Sequence, residues 1–412
     1  MPAPTAGSES RPASPAGARP ADPGNAALWP TPSQELLLRA AVMRGPAALE
    51  AWRRWKSRHD LVESELDHGS YRLLPLVYKN VSALGAGEPH LLRLKGIYRY
   101  WWCSNQNLFY NGAILLQRLH AAGIRTMLLK GASTSALYYE DMGVRPMADV
   151  DVLVPFEQVH AAVDCLARLG WRAASGSIDE EIRYRHSTPM VNDAGREFDL
   201  HWHSLRECLR ADSDAGFWRR SVPVAMLHAE TRGLAPADAL LHTVVHGMRW
   251  NEEPTIRWIA DAMTILHAAE DRIDWEALVR EACDRRVQLR LVQGLGYLRR
   301  TFEAPIPPAA WARLVAARPS RTERLEYRYL AVRSDRLKRD QVAHLGPMLL
   351  IEYLRVCSGW SLRRKLAELP AFLRYRLRGR TEPTIVAARR VARWLGLAAP
   401  GRSPADSRGR SS

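Results

Sequence analysis

Asp149-Val150-Asp151-Val152-Leu153-Val154 is the stretch on which the reading of this chain turns. Its six residues alternate in character at the start and have the length and β-branched content of a strand. Every second side chain of a strand lies on one face, so Asp149 and Asp151 share a face and Val150, Val152 and Val154 take the other. One Asp-x-Asp arises easily by chance, and two separate surface acids are its plain alternative. A second stretch shifts that balance. In Phe198-Asp199-Leu200-His201-Trp202-His203 the apolar residues occupy one strand face, and Asp199, His201 and His203 the other. If the two strands are neighbours, Asp149, Asp151 and Asp199 converge. Three carboxylates held that close repel one another unless a cation is bound. Carboxylate oxygens are hard ligands that suit Mg²⁺ or Mn²⁺.

Upstream, Thr126-Met127-Leu128-Leu129 reads as a short buried strand closed by Lys130-Gly131. A helix is expected over Ala132 to Tyr139. Its first backbone N–H groups, reached closely because Gly131 has no side chain, form a candidate phosphate cradle. Ser133 adds a hydroxyl and Lys130 a positive charge, while an ordinary strand-to-helix turn is the simpler alternative. Arg145 either neutralises phosphate or pairs with a carboxylate. Downstream, a helix from Phe156 to Leu169 ends at Gly170, and Arg196 to Trp202 supplies a third strand. The alternation marks a small α/β unit of roughly 90 residues.

Helical spacing takes over on both sides. It runs from Gln34 to about Lys95, again from Asn105 to Ala122, and from Ala237 onward. The expected division is a disordered tail over 1–33, a helical region over 34–122, the α/β core over 123–235, a helical domain over 236–399 and a disordered basic tail over 400–412. The fold class is therefore α+β, a mixed-sheet core flanked by helical segments.

Composition narrows the function classes. The 412 residues are 47% hydrophobic and 25% charged, as in a soluble globular protein. No apolar run is long enough to span a bilayer. Five scattered cysteines with no CxxC pair argue against a disulfide framework or a thiolate zinc site, and the expected location is cytoplasmic. The net charge of +15 is concentrated late: Ser361 to Ser412 carries thirteen Arg or Lys against three acids. Such a segment either contacts an anionic membrane or nucleic acid weakly or is only a solvated tail. Pro370 and Pro383 are expected to break any helix there.

Leu129-Lys130-Gly131, Arg145, the Asp149–Val154 stretch and Phe198-Asp199-Leu200-His201-Trp202 resemble, in this order, the DNA polymerase β-like nucleotidyltransferase superfamily. They are most similar to its bacterial family of uncharacterised nucleotidyltransferases. Leu241-His242…His246 and Arg257-Trp258-Ile259-Ala260-Asp261 look like that family's later part. The resemblance implies a small polymerase β-like core and a nucleoside triphosphate donor, ATP among the candidates. It also implies two Mg²⁺ ions bridged by Asp149 and Asp151, with Asp199 on the ion that activates the acceptor hydroxyl. Lys130, Gly131, Ser133 and Arg145 would then bind the nucleotide. An acceptor of unknown identity attacks the α-phosphorus and pyrophosphate leaves. In this sequence Gly131 is followed by Ala132 before Ser133, where many members carry a Gly-Ser pair.

Two rival readings stay open at this level. His201-x-His203 and His242-x-x-x-His246 with an aspartate would make a zinc or iron site of a metal-dependent hydrolase. Otherwise these histidines are neighbours that orient the aspartates or pack between segments. The second rival is a catalytically inactive nucleotidyltransferase-like protein that binds or regulates.

Overall fold

The computed structural model describes residues 29–61, 64–83, 89–174, 177–249, 255–330 and 341–378. The expectations for residues 1–28, Pro383 and the 400–412 tail lie outside the described residues. The architecture is mixed α+β: a seven-stranded sheet with helices on both faces.

The strands are β1 (Met127–Leu129), β2 (Asp151–Leu153), β3 (Trp171–Ala173), β4 (Ser187–Asn192), β5 (Glu197–His201), β6 (Val222–Met226) and β7 (Ala229–Gly233). They lie in the order β3-β4-β5-β2-β1-β7-β6. Strand β2 runs antiparallel to β1 and parallel to β5, and β1 runs parallel to β7. The hairpins β4/β5 and β6/β7 make the rest of the mixed sheet. All three residues of β1 are buried, as befits a central strand covered on both faces.

Three of these strands carry the sequence signals described above, with shorter limits. Asp149 and Val150 precede the β2 ladder, and β5 ends at His201. The other four strands went unread for a physical reason. β3 has three residues, β4 and β6 each contain a proline, and β7 buries Ala229, Thr231 and Gly233, which are too small or polar to signal a strand. The helix expected at Ala132 begins already at Lys130 and passes into a π-turn over Ser135–Tyr139, closed by Glu140 at φ +54°. The helix expected from Asn105 starts at Leu91 and runs to Ala121.

One sheet face carries Val150, Val152, Val154, Phe198, Leu200 and Trp202. It packs beneath the helices Leu91–Ala121 and Val159–Arg168, which contribute Phe109, Leu116 and Leu166. On the other face Met127, Leu129 and Leu153 join a larger core shared by the N-terminal and C-terminal helices. Each large apolar side chain fully buried there contributes about 2 kcal/mol. The two helical flanks also touch directly. The Trp29 and Tyr297 rings lie 4.6 Å apart, and the Tyr297 hydroxyl donates to Glu35 at 3.2 Å.

Buried ion pairs fasten the later helices. Arg290 donates to Glu207 at 2.7 Å, and Glu326 pairs with both Arg290 and Arg355. The helix Leu362–Leu377 continues through Pro370 rather than breaking there. Ser361 caps its start, Phe372 is buried against Tyr184 and Tyr353, and Tyr375 donates to Glu181 at 2.9 Å. Contacts on both sides of the proline outweigh the one backbone bond it removes. Part of the basic segment is engaged inside the protein: Arg376 pairs with Glu352 and Arg378 with Glu180.

Candidate active site

Register brings the carboxylates together. β2 is the only central position from which one residue can face both β1 and β5, and Asp151 pairs with Leu129 on one side and Asp199 on the other. With the shared pleat, Asp151 and Asp199 project to the same side. Among the described residues, Asp151, Asp199 and His201 offer ligand atoms that all lie within 4.8 Å of one another. Asp149 stands just before the strand at the mouth of the same cleft.

Lys130 closes this cluster. Its backbone adopts φ +44°, a left-handed conformation that disfavours a β-carbon. The turn carries its ammonium back onto the sheet, where it pairs with Asp151 and lies 4.0 Å from Asp199. His201, fully buried, donates from Nε2 to Asp151 at 3.0 Å. Burial alone would raise the Asp151 carboxyl, but the Lys130 charge and the His201 hydrogen bond overcome it and hold the group well below the usual carboxylate range. Asp149 moves the other way. The surrounding walls desolvate it and the like charge of Asp151 adds to that, so its pKa is raised despite the attraction of Lys130.

The donor chemistry fits a divalent cation. Two carboxylates and an imidazole converge, and a third carboxylate nearby is strained by charge repulsion that a cation would relieve. An internal ammonium holds the same ground.

The cleft has a volume of about 390 Å³. Its acidic side is formed by Asp149 and Asp151, and its basic side by Arg72, Arg145 and Arg257. Arg145 is buried and grips Asp261 with two hydrogen bonds, Nε at 2.9 Å and Nη2 at 2.8 Å. Tyr139 donates to the same carboxylate at 2.9 Å. Of the two roles open to Arg145, the structure places it in the ion pair. Burial opposes its charge, but Asp261 more than compensates and the guanidinium pKa is raised.

The space left by Gly131 is occupied by that same Arg145, since a β-carbon there would overlap its guanidinium. Ser133 is buried toward Gly233 of β7, outside the cleft lining. Thr134 reaches the cleft, but its hydroxyl donates to the Lys130 carbonyl at 2.8 Å. Of the expected nucleotide-binding residues, then, Lys130, Gly131 and Arg145 are brought to the cleft and Ser133 is not.

The histidines divide. His201 belongs to the carboxylate cluster. His203 joins a separate buried group with Asp214, 3.7 Å away, and the Phe156 ring. His242 lines the cleft and donates to the Ser204 carbonyl at 3.0 Å, with His246 stacked on it. Burial, then the charges of Lys130 and Arg249, push His242 down to about 3, so its ring is neutral. Among the described residues, no metal-ligand group unites these histidines.

Sequence reading did not reach Arg72, and it met Arg257 and Asp261 only as part of the family resemblance, with no role in the cleft. Arg257 and Asp261 are four apart on the helix Arg257–Ala268, which sets both on one side. That spacing was the available signal. Arg72, at the end of a four-residue helix, gave none.

The site joins hard acid ligands to a cationic wall, a combination suited to phosphoryl chemistry. Residues 70–303 match the family described as "Uncharacterised nucleotidyltransferase". The chain belongs to that family. Among curated proteins none matches it. Among solved structures it is similar to an antigenic nucleotidyltransferase-like protein from Paracoccidioides brasiliensis, at 15% identity over 49% of this chain and 95% of that one. The TM-score of 0.33 is that of a loose superposition. Among the described residues no helix is long and apolar enough to cross a membrane.

Proposed function

We propose that this protein is a Mg²⁺-dependent nucleotidyltransferase of the polymerase β-like type, moving a nucleoside monophosphate from an NTP to a hydroxyl acceptor. The observation that carries the reading is the register of β2 against β5, which sets Asp151 directly beside Asp199 with Lys130 between them. Family membership supports it.

In this reading Asp149, Asp151 and Asp199 hold the divalent ions, and His201 orients Asp151 by the 3.0 Å hydrogen bond. Bound metal would supply charge neutralisation at the phosphates and a more acidic acceptor hydroxyl. Asp199, half-buried where Asp151 is closed off, is the carboxylate best placed to take the acceptor proton. The acceptor oxygen forms a bond to the α-phosphorus as the bond to the β-phosphate bridging oxygen breaks. The proton passes to Asp199 and pyrophosphate departs. The core is taken as residues 123–235, with a cleft completed by the helices on either side. The exposed basic residues of the helix Leu362–Leu377 would give at most a weak contact with anionic surfaces, and the working location is the cytoplasm.

The hydrolase alternative draws less support, because among the described residues the ligand atoms that converge are those of Asp151, Asp199 and His201, and neither His203 nor His242 joins them. The test is thermal stabilisation by each of the four NTPs with and without Mg²⁺, in the wild type and in Asp149→Asn. Stabilisation by at least one NTP only with Mg²⁺, and its loss in the variant, is the expected result. The absence of any nucleotide response, with tightly bound zinc found by metal analysis, would turn the reading toward hydrolysis.

A further inference from the structure

The acidic half of the cleft explains metal binding, but the basic half has no assigned role. Three guanidinium groups meet there, and one carboxylate, Asp261, is fully engaged by Arg145. Arg72 and Arg257 are left without a carboxylate partner among the described residues. Arg72 Nη2 donates to the Pro146 carbonyl at 3.1 Å and Arg257 Nη1 donates to the same oxygen at 2.5 Å. The two heads are therefore held side by side, a costly arrangement of like charges. The Nε of Arg72 is buried and has no hydrogen-bond partner.

We propose that Arg72 and Arg257, one from each helical flank, form a subsite for the pyrophosphate half of the nucleoside triphosphate. The inference rests on the nucleotidyltransferase reading and goes beyond it, because it moves phosphate binding away from the Gly131 turn. That turn is filled by Arg145, and Ser133 faces β7. What remains open to an anion is the pair of guanidinium groups, which can offer parallel N–H donors to phosphate oxygens.

Two further observations agree. Burial and the neighbouring guanidinium groups Arg145 and Arg72 push Arg257 down to about 9, and burial followed by Arg145 lowers Arg72. A pair of cations destabilised by its own protein is a pair that an incoming dianion would relieve. Position fits as well. Pro146, which holds both heads, lies three residues before Asp149, so the arginines stand beside the carboxylates where the leaving group would emerge. Asn105 of the long helix fixes this loop by donating to the Arg145 carbonyl at 2.9 Å. The helical flanks thereby become part of the active site: neither flank alone completes the subsite.

The probe is inorganic pyrophosphate, titrated calorimetrically into the full chain in EDTA, so that the metal-binding carboxylates play no helping part. The wild type should bind pyrophosphate at least tenfold more tightly than orthophosphate. Arg72→Gln and Arg257→Gln should each weaken pyrophosphate at least tenfold, with Arg257→Lys intermediate. Asp149→Asn should tighten it, since a nearby negative charge is removed. Melting curves establish that each variant is folded. If Arg257→Gln does not fold, Arg72→Gln and Arg257→Lys carry the comparison. Unchanged pyrophosphate affinity in folded Arg72→Gln and Arg257→Lys, or no binding by the wild type, overturns the subsite. The two readings fail separately. Mg²⁺-NTP stabilisation kept in the arginine variants but lost in Asp149→Asn sinks the subsite and leaves the transferase. Pyrophosphate binding that depends on the arginines, without any Mg²⁺-NTP response, keeps the subsite and removes the transferase.

Discussion

Lys130→Gln probes the balance of charge at the carboxylates most directly. The ammonium pairs with Asp151 and lies 4.0 Å from Asp199, and its side chain is one-fifth exposed. One pair of unit charges at about 4 Å interacts with roughly 4 kcal/mol at an effective dielectric constant near 20. Removing the lysine forfeits that attraction but also recovers its desolvation, so the net cost to the metal-free protein should be about 2–3 kcal/mol. With about 330 described residues, each kcal/mol corresponds to roughly 1–2 °C in melting temperature, which predicts a fall of about 4 °C. Glutamine is the right replacement, because glycine would relieve the φ of +44° and mask the electrostatic loss.

The sign with pH follows from Asp151. In the wild type its depressed pKa contributes stability above the unfolded value of 3.8, lost as pH falls through the folded value. Without Lys130, only His201 is left to oppose burial, so the Asp151 pKa should rise and the variant loses at neutral pH part of the stability that the wild type keeps there. The gap between the two proteins should therefore close as pH drops below about 4. Differential scanning fluorimetry in EDTA and in millimolar Mg²⁺ reads both arms. Magnesium should stabilise the variant more than the wild type, because it has no ammonium to displace, and occupancy at about a hundred times Kd supplies about 2.7 kcal/mol. Equal melting temperatures in EDTA, or a magnesium shift no larger in Lys130→Gln, would refute the idea that Lys130 stands where a metal would sit.

Asp261→Asn should be strongly destabilising, because it leaves Arg145 buried and adds a third unpaired guanidinium to Arg72 and Arg257. A loss of about 3–5 kcal/mol is expected by urea denaturation, and Arg145→Met in the same chain should recover part of it. Acid should weaken the fold well above the range of carboxylate titration. His242 is buried and His186 and His246 are half-buried, and all three are pushed down from 6.5, chiefly by desolvation. The unfolded chain takes up protons that the folded one refuses, so stability present above 6.5 is lost as pH falls below it. For His242, held near 3, the loss between pH 8 and pH 5 is about 2 kcal/mol. His242→Gln should flatten the melting-temperature profile between pH 8 and 5 by that share, and an unchanged profile would count against a neutral, buried imidazole.

What could be read from the chain was the part of the site that rests on strand phase. Alternation in Asp149–Val154 and Phe198–His203 fixes which residues share a face whatever the neighbours are, and the sheet then needs only to place β2 beside β5. That parallel pairing is not written locally, but the paired acids made it the economical arrangement. The β3, β4, β6 and β7 strands left no such trace, since edge and hairpin strands built on Gly, Thr, Ala and Pro owe their state to the sheet they join. The fate of Gly131 illustrates the same boundary. A glycine after a buried strand says that something approaches closely, and the sequence offered phosphate as the visitor. The visitor in the structure is Arg145, drawn there by Asp261, a partner 116 residues along the chain.

The acidic and basic halves of the cleft differ in origin, and this bears on how the site works. The acids come from two adjacent strands and keep their spacing as long as the sheet is intact. The arginines come from a short helix before the core and a long one after it, and they meet only because both flanks share a single apolar core over one sheet face. Metal affinity should therefore survive perturbations of the flanks that abolish polyphosphate affinity. A core substitution such as Leu38→Ala, outside the cleft lining, removes a fully buried side chain from that shared core at a cost of about 3 kcal/mol. If the flanks position the arginines, it should weaken pyrophosphate binding while leaving the magnesium shift in place. That asymmetry would follow from the way the cleft is assembled, with its chemistry on the sheet and its grip on the leaving group in the helices.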